Sequence, residues 1–107
     1  MTTIRGQGAS PGRARGPLAV SAAEAIELAE RGTPAIFARS EMDADDVPGI
    51  RAAAGVIIAR GGITADGAVA ARALGKPCIV GCSSFASVAP GTIVSIDGAT
   101  GQIEVEG

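Results

Sequence analysis

The segment with the greatest capacity for chemistry is the run GGITADGAVAAR at residues 61–72. Its residue types predict that a buried strand ends before Gly61, that the two glycines turn the chain, and that Thr64 caps a new helix. A helix start presents free backbone N–H groups and the positive end of the helix dipole, and together these favour a bound anion. Gly61 and Gly62 would allow a ligand or a partner backbone to approach closely. Asp66 then lies in the first helical turn, where a carboxylate is electrostatically favoured.

The same residues also have ordinary structural explanations. A Thr-x-Asp sequence is common at helix starts, and paired glycines are common in turns, so the segment alone does not establish a site. Arg60 and Arg72 flank it and could hold an anion, but each could equally be a solvated charge or a partner of the acidic cluster at residues 43–46. Cys82 is a secondary candidate, and we expect it to be structural because its nearest cation in sequence is Lys76.

The composition excludes several classes of function. The chain has 107 residues, enough for one domain, and a net charge of −2, which argues against a polybasic nucleic-acid or anionic-membrane binder. Hydrophobic residues make up 47% of the chain, which argues against intrinsic disorder. There are two Phe and no Trp or Tyr, so stacking platforms are nearly absent. The chain contains no His, which excludes histidine acid–base chemistry, histidine metal ligation and phosphohistidine chemistry in this sequence.

Strands and helices alternate in the predicted secondary structure. Residues 5–16 are predicted as a loop, and the predicted strands are 17–20, 34–38, 55–59, 78–80, 92–96 and 102–105. Ser21 with Glu24 predicts a capping box for a first helix that Gly32 ends. A second helix starts in the acidic cluster and runs to about residue 54, and a third, capped by Thr64, runs through Leu74. The continuous apolar run at 55–59 predicts a strand buried on both faces. These elements predict a single layered α/β domain spanning residues 1–107.

The two cysteines, Cys78 and Cys82, have neither the spacing of a redox or zinc motif nor that of a disulfide framework. In a strand both would point to the same face, and we expect two buried thiols in a reducing compartment. No apolar run suggests a secretory signal or a membrane-spanning helix. We therefore expect a soluble, cytoplasmic protein with no nucleic-acid or membrane partner.

Four segments in order along the chain carry a family resemblance. They are GASPGRARG at 8–16, DVPGI at 46–50 leading to Gly55, residues 61–72 with GKPCIVGC at 75–82, and DGATG at 97–101. Together they resemble the swivelling phosphohistidine (mobile) domain of PEP-utilising enzymes, above all the central domain of pyruvate phosphate dikinase. That family reads GGxTSHAAxxAR at the third segment, followed by G-K/I-P-x-x-V-G.

The resemblance implies a mobile β/β/α domain. In the full enzymes such a domain swings between an ATP-grasp nucleotide-binding domain and a TIM barrel that binds phosphoenolpyruvate or pyruvate, and its histidine carries the phosphoryl group. Neither partner domain fits in 107 residues, so both would belong to separate subunits or to a parent chain. The resemblance implies no cofactor in this domain; Mg²⁺, ATP and phosphoenolpyruvate would bind to the partners.

This sequence departs from the family pattern at the decisive position. The residue aligned with the acceptor histidine is Asp66, and the aligned serine is Ala65. Transfer through nitrogen needs a neutral imidazole, and an ionised carboxylate would repel a phosphate dianion, so we do not expect this chain to transfer phosphate. Thr64 matches a threonine that is a regulatory phosphorylation site in some dikinases. The residues implied at the phosphate position are Asp66 and Thr64 at the catalytic positions, with Gly61, Gly62, Ala65, Gly67 and Arg72 around them.

Three hypotheses remain open from the sequence. The chain is a non-transferring docking domain in which Asp66 mimics the phosphorylated state, or it is a laboratory His-to-Asp variant of a working carrier. Alternatively, it is a small-molecule enzyme that uses Asp66 as general acid or base, with Thr64, Arg72 and Cys82 as neighbours. The family is one of phosphotransferases, but the missing histidine leaves open whether this chain is an enzyme. A deep pocket with Asp66 at its floor would favour the enzyme, and an exposed Asp66 would favour docking.

Overall fold

The protein is described here by a computed structural model that covers residues 2–82, 85 and 88–106. Within these residues the chain forms eight strands and three α-helices. In chain order they are β1 (Thr2–Arg5), β2 (Gln7–Ser10), β3 (Arg13–Ala19), α1 (Ala22–Glu30), β4 (Ile36–Arg39), α2 (Val47–Ala52), β5 (Gly55–Ile58), α3 (Asp66–Ala73), β6 (Cys78–Val80), β7 (Ile93–Asp97) and β8 (Gln102–Val105). A short 3₁₀ turn at Ala44–Asp46 leads into α2. No helix in this part of the chain has the length and apolar character needed to cross a bilayer.

The strands follow the order β1-β8-β7-β3-β4-β5-β6-β2. β3 joins an antiparallel group of strands (β1, β8 and β7) to a parallel group (β4, β5 and β6). Its residues 13–17 pair antiparallel with β7, and its last two residues pair parallel with β4. From β3 to β6 the strands are parallel, as expected where helices connect them. β1 and β2 lie at opposite ends of the order, yet Gly6 alone separates them in sequence. The two ends of the sheet therefore meet.

Two glycines in the turn between β7 and β8 make this meeting possible. The backbone N–H of Gly6 donates to the carbonyl oxygen of Gly101 at 2.8 Å. A Cβ atom at Gly101 would collide with the carbonyl oxygen of Gly6, and one at Gly98 would collide with that of Ser10. Since the turn packs directly against the backbone of residues 6–10, only glycine fits at these two positions.

Two buried clusters divide the domain into three layers. The helix-side cluster lies between the helices and the parallel strands, and the second cluster lies between the parallel strands and the antiparallel strands. In the parallel strands, side chains alternate between them: Phe37 and Val56 face the helices, while Ile36 and Ile57 face the antiparallel half of the sheet. β5 is buried along its whole length, which confirms the strand predicted from the apolar run. The α/β domain of β/β/α type predicted from the sequence is thus confirmed.

The first helix begins and ends where predicted, and the structure shows the Ser21 half of the predicted capping box. The Ser21 hydroxyl oxygen accepts from the backbone N–H of Glu24 at 3.1 Å, and Gly32 follows the helix with a φ of +81°. Such a φ is the left-handed conformation in which glycine commonly ends a helix. The second helix begins as predicted in the acidic cluster, where Asp43 and Asp46 cap the 3₁₀ turn reciprocally.

The predicted loop at residues 5–16 is wrong. This segment contains the last residue of β1, all of β2 and the first part of β3. Residues 7–10 contain no β-branched or aromatic side chain, and Gly and Pro interrupt residues 11–17, so these residues give only a weak strand signal. They form strands because tertiary pairing with β6 and β7 determines their conformation.

Candidate functional site

A turn connects the end of β5 to the start of α3. Gly61 adopts a φ of +98°, a value that disfavours other residues. The N–H of Ala65 then donates to the carbonyl oxygen of Gly62 at 3.0 Å and closes a four-residue turn, and α3 begins at Asp66. Strand, glycine turn and helix therefore follow in the predicted order.

The prediction that Thr64 caps the helix is wrong. Thr64 lies inside the turn, so the helix begins one residue later than predicted, with Ala65 at the N-cap position. Alanine has no side-chain acceptor, and the cap carries no side-chain hydrogen bond. The first N–H groups of α3 therefore lack the partner that a Thr cap would supply.

Asp66 is the first residue of α3 and is exposed. Its position puts it at the N-terminal end of α3, which is the positive end of the helix dipole. Two large apolar side chains near it in sequence are also exposed: Ile63 in the turn (43%) and Val69 one turn along the helix (49%). Thr64 is exposed between them. The acid is thus presented to solvent with apolar neighbours on both sides in the sequence.

Two cavities lie at the carboxyl ends of the parallel strands. One of about 380 Å³ is lined by residues that include Gly61, Ala65 and Arg60. The other, of about 410 Å³, lies beyond Arg39, which lines both. Among the described lining residues of these cavities, Asp66 does not occur. Asp66 therefore lies on the surface beside a cavity and not at its floor.

Close packing fixes the position of the helix start. Gly67, the second residue of α3, is buried, and a Cβ atom there would lie 2.7 Å from Ile58 Cδ1 and 2.9 Å from Met42 Cβ. Ala68 and Ala71 continue the buried face of α3 against the helix-side cluster. Small side chains on this face allow the first turn of α3 to approach β5 closely, so Asp66 projects from a firmly packed element.

The structure brings Arg72 to the turn but not to the acidic cluster. Its Nε donates to the carbonyl oxygen of Ala9 at 2.8 Å, and its Nη2 donates to the carbonyl oxygen of Ile63. In the described part of the chain, the ion pair of the acidic cluster joins Asp46 to Arg39 at 2.8 Å. The possibility that Arg72 pairs with this cluster is therefore wrong. Neither the pairing of Arg39 with Asp46 nor the contact between Arg72 and β2 is predicted by any motif or spacing in the sequence.

Arg60 is exposed, and its backbone N–H donates to the carbonyl oxygen of Ser40 at 2.9 Å. This bond continues the pairing of β4 with β5 past the end of both strands. Arg60 also lines the 380 Å³ cavity beside the glycine turn. Arg60 and Arg72 therefore flank the turn in space as they do in sequence.

Both cysteines are buried free thiols. Burial raises the pKa of the Cys78 thiol to about 12 and that of the Cys82 thiol to about 11. The prediction that they share a face is wrong, because the chain turns at Gly81 (φ +67°) and Cys82 enters the opposite cluster. Neutral buried thiols are poor nucleophiles, which agrees with a structural role. In the ranges that the structure describes, no group of three or more metal-ligating side chains occurs.

Comparison with known proteins identifies the family. Residues 17–101 match the family described as "PEP-utilising enzyme, mobile domain". The chain belongs to this mobile-domain family. It is 37% identical over 108 residues to pyruvate, phosphate dikinase of Rhizobium meliloti and 38% identical over 112 residues to the chloroplastic dikinase 1 of Arabidopsis thaliana. These matches cover 89% and 92% of this mobile-domain chain and 12% of each dikinase.

A solved structure supports the same family. The solution structure of an enzyme I protein superposes on 67% of this mobile-domain chain and 30% of its own, with a TM-score of 0.58 and 27% identity. Similarity in sequence and fold therefore supports a swivelling carrier-type domain. The chain spans about an eighth of the length of the dikinases it matches.

Proposed function

We propose that this chain is a carrier-type swivelling domain of a pyruvate phosphate dikinase-like system in which Asp66 occupies the acceptor-histidine position. In this proposal it docks to partner domains without transferring phosphate. The observation that carries the proposal is the position of Asp66. It is the exposed first residue of α3, directly after a glycine turn, in a chain of the PEP-utilising mobile-domain family.

The chemistry of a carboxylate at this position explains why transfer is not expected. Phosphoryl transfer through a carrier histidine begins when a neutral imidazole nitrogen attacks phosphorus. Asp66 presents a carboxylate instead of a neutral nitrogen. An incoming phosphate dianion would therefore meet like charge.

The same charge gives Asp66 a different role. A carboxylate at the helix start places a negative charge where a phosphorylated histidine would carry one. A partner surface that recognises the phosphorylated state would meet a similar charge pattern, framed by exposed Ile63 and Val69. We propose that the partners are an ATP-grasp nucleotide-binding domain and a barrel domain that binds phosphoenolpyruvate or pyruvate. Mg²⁺ and the nucleotide would bind to those domains.

The exposure of Asp66 favours docking over small-molecule catalysis. A general acid or base is expected in a cavity that excludes water and holds a substrate. The described lining residues of the two cavities near the turn do not include Asp66, and the Cys82 thiol proposed as its neighbour is buried. Docking needs only an accessible face, and Asp66 has one.

A binding experiment tests the docking role. The full chain is titrated against the phosphoenolpyruvate-binding domain of a pyruvate phosphate dikinase by isothermal calorimetry, at constant ionic strength. We expect Asp66→Ala to weaken binding about tenfold, the loss of one charge-assisted contact. Glu30→Ala, which removes an exposed acid from the end of α1, is the matched control and should bind like the wild-type chain. Equal affinities for Asp66→Ala and the wild-type chain would contradict the docking role.

A further inference from the structure

Strand β2 contains an irregularity that faces α3. In its pairing with β6, Gly8 lies opposite Ile79 and Ser10 lies opposite Cys78, so Ala9 is an extra residue in the ladder. Such a bulge leaves the extra residue outside the regular hydrogen-bond pattern. Arg72 Nε donates to the carbonyl oxygen of Ala9 at 2.8 Å. Arg72 on α3 thus donates a hydrogen bond to the residue that lies outside the regular pairing of β2 with β6.

The other end of the same guanidinium contacts the glycine turn. Arg72 Nη2 donates to the carbonyl oxygen of Ile63, which lies in the turn closed by the Ala65 to Gly62 hydrogen bond. One side chain therefore ties the bulge in β2 to the turn that precedes Asp66. Both acceptors are backbone atoms, so the two contacts constrain the path of the main chain.

We propose that Arg72 is a positioning residue that holds the glycine turn against β2 and thereby sets the orientation of Asp66 at the start of α3. A guanidinium suits this role because its donors point in fixed directions within one plane. A lysine ammonium is a point charge on a flexible stem and does not reproduce a two-point clamp. The consequence for docking rests on the proposed function; the effect on the turn does not.

This role differs from that of a phosphate ligand, which the family resemblance implies for Arg72. A ligand to phosphate acts mainly through its charge, so Arg72→Lys would preserve most of its effect. A clamp acts through its geometry, so Arg72→Lys would behave like Arg72→Met. The two substitutions together therefore separate the roles.

Amide hydrogen exchange of the full chain, followed by NMR, tests the clamp. The reporter is the Ala65 amide, whose hydrogen bond closes the turn. We expect Arg72→Lys and Arg72→Met each to increase its exchange rate about tenfold, the effect of losing a hydrogen bond from a charged donor. The Ala25 amide at the start of α1 is the internal reference for folding and should be unaffected. Arg51→Met, which removes an exposed arginine from α2, is the matched control and should leave the Ala65 rate unchanged.

The outcome decides between the roles. Wild-type exchange at Ala65 in Arg72→Lys would overturn the clamp. Arg72→Lys and Arg72→Met are also titrated against the phosphoenolpyruvate-binding domain of a dikinase. Both should lose affinity for that domain as Asp66→Ala does. Faster exchange with unchanged affinity would overturn the positioning of Asp66. If the wild-type chain itself shows no affinity, the proposed function fails, while faster exchange at Ala65 would still support the clamp.

Discussion

The ion pair between Arg39 and Asp46 stabilises residues 39–46, which help to line the cavity beside the glycine turn. Arg39→Gln tests the contribution of this pair to stability. Both carboxylate oxygens of Asp46 accept from Arg39 Nη1 at 2.8 Å, and one also accepts from the backbone N–H of Asp43 at 3.1 Å. The Asp46 side chain is 5% exposed and the Arg39 side chain 44%. Removal of Arg39 therefore leaves a buried carboxylate without its cation.

The magnitude follows from these exposures. Loss of one partner from a fully buried pair costs about 3–5 kcal/mol. Because Arg39 is nearly half exposed, water already screens the pair, and we expect a loss of about 2 kcal/mol. For a domain of about this size, that corresponds to a fall in Tm of about 10 °C. The segment between the two residues carries Met42, which packs near Gly67, so the start of α3 would loosen as well.

Urea denaturation followed by circular dichroism measures the change in the free energy of unfolding. Arg31→Gln is the matched control, since Arg31 and Glu27 form an ion pair whose side chains are 68% and 58% exposed. It should change stability by at most about 0.5 kcal/mol. Equal losses for Arg39→Gln and Arg31→Gln would refute the reasoning. The double substitution of Arg39→Gln with Asp46→Asn should recover part of the loss, because it removes the uncompensated charge.

Three further predictions follow from the fold. Gly98→Ala should destabilise the domain by at least about 2 kcal/mol in urea denaturation, because its Cβ would collide with the carbonyl oxygen of Ser10. Ser21→Ala removes the cap of α1 and should lower the free energy of unfolding by about 1 kcal/mol in the same assay; no change would contradict the cap. Burial raises the pKa values of Cys78 and Cys82 from 9.0 to about 12 and about 11, so above pH 9 the unfolded thiols lose protons that the folded ones keep. Stability should fall as pH rises, by up to about 1.4 kcal/mol per pH unit for each thiol, and less steeply in Cys82→Ala.

The parallel half of the fold could be predicted because its signals are local. The apolar run at 55–59, the Ser21 cap and the glycines that follow α1 and α3 each act within a few residues. Strands β1 and β2 could not be predicted, because their conformation depends on pairing with β8 and β6 at the far end of the chain. Sequence patterns report local preference, and distant pairing overrides it.

The candidate site was predicted as a segment but not in its geometry. The glycine turn and Asp66 at the helix start follow from local chemistry and a family pattern. Local preference predicts Thr64 as the cap because Thr is favoured at N-cap positions, but Thr64 lies inside the turn closed by the hydrogen bond from Ala65 to Gly62. The contact of Arg72 with the Ala9 bulge joins residues 63 positions apart, and no spacing rule connects them.

The most direct test of the central claim compares the wild-type chain with Asp66→His after incubation with phosphoenolpyruvate and the phosphoenolpyruvate-binding domain of a dikinase. In Asp66→His, an imidazole nitrogen can attack phosphorus, so that a P–N bond forms, the P–O bond to enolpyruvate breaks and pyruvate leaves after taking up a proton. Intact mass spectrometry measures the mass added to each chain. We predict an added phosphoryl group on the histidine of Asp66→His and none on the wild-type chain. Phosphate on Asp66 of the wild-type chain, or an unmodified Asp66→His, would contradict the claim that Asp66 occupies the carrier position of a non-transferring domain.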